Sequence, residues 1–189
     1  MTTAYLRLSL LTSLLALAGC ASKPAPSQLR ELHREVGKLS QQMRQLTDQA
    51  TALEQQGQLN GGSAQGAWLL PAAATGVILK SQAGELQLSL GPVEAAANGS
   101  RAVLHIHSKG NAPLPAFTAS VEWGELDGTT GKPLTVDSQT QTIAVHAALL
   151  PRTEASIPLP LNNLTPQQLG YVRVHQVLLT NPAPDSIAP

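Results

Sequence analysis

Four successive heptads between Ser27 and Gln56 carry a leucine at one fixed position, and no other feature so narrows what this chain can fold into. Leu32, Leu39, Leu46 and Leu53 repeat in register, each preceded three residues earlier by Leu29, Val36, Met43 or Ala50. The 3-4 spacing averages 3.5 residues per turn, so on an α-helix these side chains form a single a/d seam under left-handed supercoiling. A strand cannot carry this pattern, because its side chains alternate with period 2. Ser27 after Pro26 suits a helix start and Gly57 suits a left-handed cap. A helix over 28–57 is therefore expected, following a short stalk over 20–27.

The seam has two possible covers. A helix lying on a bilayer carries bulky aromatics and a basic face. This segment has no aromatic residue, and its charges balance: Arg30, Arg34, Lys38 and Arg44 against Glu31, Glu35, Asp48 and Glu54. Two apolar positions per heptad are also narrow for packing on a sheet, where a third is usual. Self-association is thus favoured over docking onto the same chain or another protein. The g positions (Gln28, Glu35, Gln42, Gln49, Gln56) and e positions (His33, Ser40, Thr47, Glu54) are mostly neutral. Charge pairs that would select a different partner are missing, so a homo-oligomer, dimer or trimer, is expected.

Past the helix, Asn60-Gly61-Gly62-Ser63-Ala64-Gln65-Gly66 reads as a flexible joint, placed at 58–66. The period then changes to 2. Leu86/Leu88/Leu90, Ala102/Leu104/Ile106, Phe117/Ala119/Val121/Trp123, Ile143/Val145 and Val172/Val174 each alternate with polar residues. These are half-buried antiparallel strands. Gly91-Pro92, Asn98-Gly99 and Asp127-Gly128 punctuate them. The expected fold class is an all-β C-terminal domain over 67–180, a sandwich of immunoglobulin or fibronectin III kind with seven to nine strands. Pro158 and Pro160 remove two amides on the same side of one strand, which marks an exposed edge. Thr165-Pro166 through Gly170 reads as one helical turn, and 181–189 as a disordered tail.

Leu17-Ala18-Gly19-Cys20 closes a short apolar run behind Arg7, too short to span a bilayer, which takes about 20 residues. The tetrapeptide resembles the lipobox of bacterial lipoproteins. That resemblance implies cleavage after a signal peptide at 1–19, with S-diacylglycerol and N-palmitoyl groups on Cys20. Two or more chains anchor stably, at about 0.8 kcal/mol per buried methylene. Ala21, in place of aspartate, implies the outer membrane, with the protein facing the periplasm. Beyond that covalent lipid no cofactor is expected, and the bilayer is a partner through the acyl chains.

Composition excludes other roles. Lys and Arg number 12, as do Asp and Glu, and aromatic residues are 3% of the chain. A basic patch with stacking rings is missing, so nucleic acid is not expected as a partner. Cys20 is the only cysteine; once acylated it leaves no thiol for a disulfide. No serine lies in a G-x-S-x-G elbow. Gly128-Thr129-Thr130-Gly131-Lys132 departs from a phosphate loop at Leu126 and Pro133. The chain is expected not to be an enzyme. His105 and His107 are weak metal-ligand candidates, because i and i+2 on a strand share one face about 6.6 Å apart. His146 and His175 also fall at outward positions. Arg101, His105, His107, Arg173 and His175 are expected on one polar sheet face, a candidate contact surface for an unidentified envelope protein. A ligand- or metal-binding module built on His105 and His107 is the alternative.

Four segments then resemble successive landmarks of the YajI-like family of uncharacterised bacterial envelope lipoproteins. They are Gly66-Ala67-Trp68-Leu69-Leu70-Pro71, Pro113 to Phe117, Ser120 to Gly124, and Gln168 to His175. The resemblance spans nearly the whole mature chain. It implies the same layout of lipobox, coiled coil and single β domain, and it implies no activity and no catalytic residues.

Overall fold

The computed structural model describes residues 26–62 and 65–180. The expected leader over 1–19, Cys20, the stalk up to Ala25 and the tail 181–189 lie outside the described residues. The chain divides into two compact units, one ending at Arg44 and the other starting at Gln45. Helix α1 (Pro26–Gly61) contributes to both. In the first unit, every side chain from Leu29 to Arg44 is exposed. No helix among the described residues is long and apolar enough to cross a membrane.

The helix outruns its expected end. Gly57 lies inside it, and the joint placed at 58–66 is helical to Gly61, with a strand beginning at Gly66. A glycine inside a helix costs only about 1 kcal/mol. Tertiary bonds made by Gln56 and Asn60, described below, carry the last turn past it.

Among its described residues the second unit holds the end of α1 and nine strands: β1 (Gly66–Leu69), β2 (Val77–Ser81), β3 (Gly84–Leu90), β4 (Glu94–Ala96), β5 (Gly99–Ser108), β6 (Phe117–Gly124), β7 (Gln139–Val145), β8 (Glu154–Asn162) and β9 (Tyr171–Leu179). All pairings are antiparallel. One sheet runs β1-β9-β6-β7, and the other runs β2-β3-β5, with β4 and β8 also paired to β5. The expected antiparallel sandwich is therefore present. Its strand order is not the ABED-over-CFG order of immunoglobulin constant domains. Here β2, β3 and β5 form a meander within one sheet.

The inner faces follow the period-2 pattern. Leu86, Leu88, Leu104, Ile106, Phe117, Val121, Leu159, Leu161, Val172 and Val174 are all at most 1% exposed and form one core. At one end Trp123 Nε1 donates to the Asn162 carbonyl at 3.2 Å, joining the two sheets. Among the described residues strand β8 pairs only with β5, and Pro158 and Pro160 remove two outward amides from the middle of the strand, which protects this edge against pairing with another strand. The segment after Thr165 is a single turn closed by Gln168 N and Leu169 N on the Thr165 carbonyl, both at 3.0 Å.

Candidate functional site

Helix α1 presents two faces with different fates. Leu29, Leu32, Val36, Leu39, Met43, Leu46 and Leu53 are between 43 and 65% exposed, and Ala50 is exposed with them. The whole a/d seam is thus uncovered. From Gln45 onward another face turns to the β domain. Ala52 packs with Leu70, Ala73 and Tyr171 in a second small core, joined by Leu59, Trp68 and Leu126. Gln49 Nε2 lies 3.5 Å from the Ala73 carbonyl, and Gln55 Nε2 donates to the Gly131 carbonyl. At 100° per residue, this face is centred roughly 110° round the helix from the seam. Docking onto the same chain, the less favoured cover, does occur, but through a face that leaves the leucines free.

The polar bonds explain why these residue types are needed. Gln56 is 2% exposed, and its Oε1 accepts from Leu70 N at 2.7 Å. Asn60 Oδ1 accepts from Trp68 N at 2.8 Å, while its Nδ2 donates to the Trp68 carbonyl at 2.8 Å. Among the described residues strand β1 is a sheet edge, paired only with β9. The Asn60 amide therefore takes the place of a neighbouring strand and blunts that edge. Gln49 and Gln56, two of the neutral g residues, are anchors for the β domain.

Beside the helix, the outer face of the β1-β9-β6-β7 sheet carries a polar and aromatic cluster. Tyr171, Arg173 and His175 alternate outward along β9, with Trp68 on β1 and Glu122 on β6. Tyr171 donates to Glu122 Oε1 at 3.0 Å, and its ring meets Trp68 at 5.1 Å between centroids. Arg173 stacks over Trp68, 4.7 Å from the ring centre. Glu122 Oε2 lies 3.6 Å from Arg173 and 3.8 Å from His175 Nε2. Burial, reinforced by the Glu122 carboxylate, pushes the Tyr171 hydroxyl well above its ordinary value. Burial, then the Arg173 charge, holds His175 below its ordinary value against the opposing pull of Glu122. Tyr171 is fully buried, and Gly124 opposite it is the reason the ring fits: a Cβ there would stand 2.9 Å from the ring. The cluster is a neutral phenol and a nearly enclosed carboxylate beside one guanidinium and a histidine whose charged form burial disfavours, an arrangement suited to rigidity where the helix lands. Arg173 and His175 point outward as expected, and Glu122 on the neighbouring strand joins them. The i, i+2, i+4 run Tyr171-Arg173-His175 was the signal available.

The histidines are not brought together. His105 and His107 lie on β5, Arg101 with them, whereas Arg173 and His175 lie on β9 in the other sheet. The single polar face expected to carry all five is thus two faces, because period 2 fixes which way a side chain points but not which sheet its strand joins. His146 is exposed just beyond β7. His105 Nδ1 is 2.6 Å from Glu154 Oε1 and 3.2 Å from Ser156 Oγ. The His105 hydrogen bond first, and then one donated by Ser156 Oγ to Glu154 Oε1 at 3.2 Å, hold the Glu154 carboxyl below its usual range. A nucleophile relay needs the hydroxyl and the carboxylate at opposite ring nitrogens; here both use Nδ1. Among the described residues no group of three or more His, Cys, Asp or Glu side chains is placed to hold a metal ion.

Comparison with known proteins bears on this layout. The family model "Protein of unknown function (DUF3251)" matches residues 20–183, starting at Cys20. The uncharacterized lipoprotein YajI of Escherichia coli (strain K12) is 37% identical over 177 residues, covering 94% of this chain and 97% of its own. The solution NMR structure of E. coli YajI matches with a TM-score of 0.66 at 34% identity, over 74% of this chain and 83% of that one. The structure of the Salmonella enterica trimeric lipoprotein SadB matches with a TM-score of 0.52 at 16% identity, over 94% of this chain and 91% of that one, a likeness of fold. The chain belongs to the DUF3251 family and is a relative of the lipoprotein YajI.

Proposed function

We propose that this chain is a non-catalytic lipoprotein, anchored through acyl groups on Cys20 in the outer membrane. There it assembles with copies of itself through the helix seam as a parallel coiled coil and holds its β domains in the periplasm to bind another envelope protein. The observation that carries the reading is the uncovered row from Leu29 to Leu53, on a helix that satisfies its β domain with a different face. An apolar stripe of that length is rarely left to water, and long exposed patches mark interaction sites. Tethering every copy by the same end favours a parallel arrangement and raises the local concentration for a seam of only four heptads. The trimeric state named for SadB, whose fold matches over 94% of this chain, favours three copies over two. Ala21 after Cys20 favours the outer membrane. No cofactor beyond the lipid, and no nucleic acid, has a place in this reading.

The test is sedimentation equilibrium of a soluble form running from Ser27 to Pro189. It is expected to give a trimer at tens of micromolar, reduced to a monomer by Leu39→Ser with Leu46→Ser, while the β domain keeps its melting temperature. A monomeric unaltered chain at that concentration would refute self-assembly. For the anchor, labelled palmitate is expected to enter the full chain and not Cys20→Ser.

A further inference from the structure

The heptad phase and the docking face together say where the β domain sits in an assembly. In a parallel coiled coil, the g row of one helix faces the e row of the next. Gln49 and Gln56 are g residues, and both reach the β domain of their own chain, at the Ala73 carbonyl and Leu70 N. The β domain therefore lies on the g side of its helix, the side to which a neighbouring helix brings its e row. The next e residue after Gln49 is Glu54, which is exposed. Beside the Ala73 carbonyl the chain continues through Ala74, Thr75 and Gly76, all exposed.

The seam ends where this arrangement requires. The next a position after Leu53 is Gly57, beside which an added Cβ would meet nothing within 4 Å. The next d position is Asn60, already spent on Trp68. Beyond Leu53 the helix has no apolar seam left.

We propose that the turn from Pro71 to Gly76 of each copy packs against the Glu54 side of the next copy's helix, so that each β domain bridges two helices. The occupant of this surface is a second copy of the same chain. The inference rests on the self-assembly proposed above and adds its geometry. It also gives the neutral g residues Gln49 and Gln56 a purpose, since charged side chains there would not make the amide bonds to Ala73 and Leu70.

The test uses the full chain in membranes, where Cys20 is the only native cysteine. Thr75→Cys with Glu54→Cys, and Ala72→Cys with Glu54→Cys as a second pair, are treated with a short bismaleimide. The mass of each sample in detergent is measured in parallel, and the unaltered chain serves as the blank. Covalent species of two and three chains are expected from these double variants and not from any single variant. As a comparison, Val136, 90% exposed on the loop that bonds the f residue Gln55, is paired as Val136→Cys with Glu54→Cys and is expected to give none. An oligomeric mass with crosslinking only from the Val136 pair, or from neither, would overturn the placement and leave self-assembly standing. A monomeric mass would remove self-assembly and this placement with it.

Discussion

Replacing Asn60 by alanine tests whether the end of the helix is built into the β domain or merely lies beside it. Asn60 gives two bonds of 2.8 Å to the Trp68 backbone, one as acceptor and one as donor. A net hydrogen bond contributes about 1 kcal/mol, so the pair is worth about 2 kcal/mol. Alanine is the better helix former and returns up to about 0.7 kcal/mol. The expected net loss is about 1.5 kcal/mol, equivalent to about 5 °C in melting temperature for a chain of this size. Urea denaturation of the soluble form, followed by tryptophan fluorescence at low concentration, should show a lower midpoint with an unchanged slope. Asn60→Asp retains the acceptor for Trp68 N but sets a carboxylate against the Trp68 carbonyl, so it should be no better than alanine. Hydrogen exchange at the Trp68 amide should accelerate in both. If alanine stays within about 0.3 kcal/mol of the native residue, or aspartate matches asparagine, the strand-mimic role is wrong, because either result lies well inside one hydrogen bond.

Four further outcomes follow from other sites in the structure. Gly124→Ala should cost about 1–3 kcal/mol by overpacking against the Tyr171 ring, measured by the same urea titration. Ser108 is fully buried, and its Oγ has no hydrogen-bond partner among the described residues, so Ser108→Ala should stabilise by about 1 kcal/mol. His175 is held below its ordinary value of 6.5, so its contribution is present above that pH and is lost as the pH falls through the lower folded value. The melting temperature should therefore drop below about pH 6.5, with a smaller drop in His175→Gln. Glu154 should add a second loss below its ordinary 4.5, removed by His105→Gln.

How much of this was legible beforehand depends on whether the signal was local. The seam from Leu29 to Leu53 and the inward rows of β3, β5, β6 and β9 are periodicities, and they read directly. The proline edge of β8 was legible because a missing amide has one geometric meaning. Strands β1, β2 and β4 were not distinguished: they span three to five residues with little alternation. The end of the helix was missed for a different reason. Asn60-Gly61-Gly62 is a breaker by local preference, and only the distant backbone of Trp68 and Leu70 turns Gln56 and Asn60 into helix-extending residues. Gln49 and Gln56 were legible as neutral g residues, but not as anchors to their own β domain. The assignment of His105 and His175 to different sheets is a matter of non-local strand pairing, on which period 2 is silent.

Two faces of one helix serving two partners is best tested by thiol accessibility in the soluble form as its concentration is raised. Single cysteines at Leu46→Cys on the seam, Ala52→Cys on the docked face and Thr51→Cys on the outside are labelled with a maleimide, dilute and concentrated. Leu46→Cys should react fast when dilute and slowly when concentrated. Ala52→Cys should be slow at both concentrations and Thr51→Cys fast at both. A Leu46→Cys rate independent of concentration, or protection at Ala52→Cys that arises only on concentration, would contradict the division of the helix into a docked face and a shared seam.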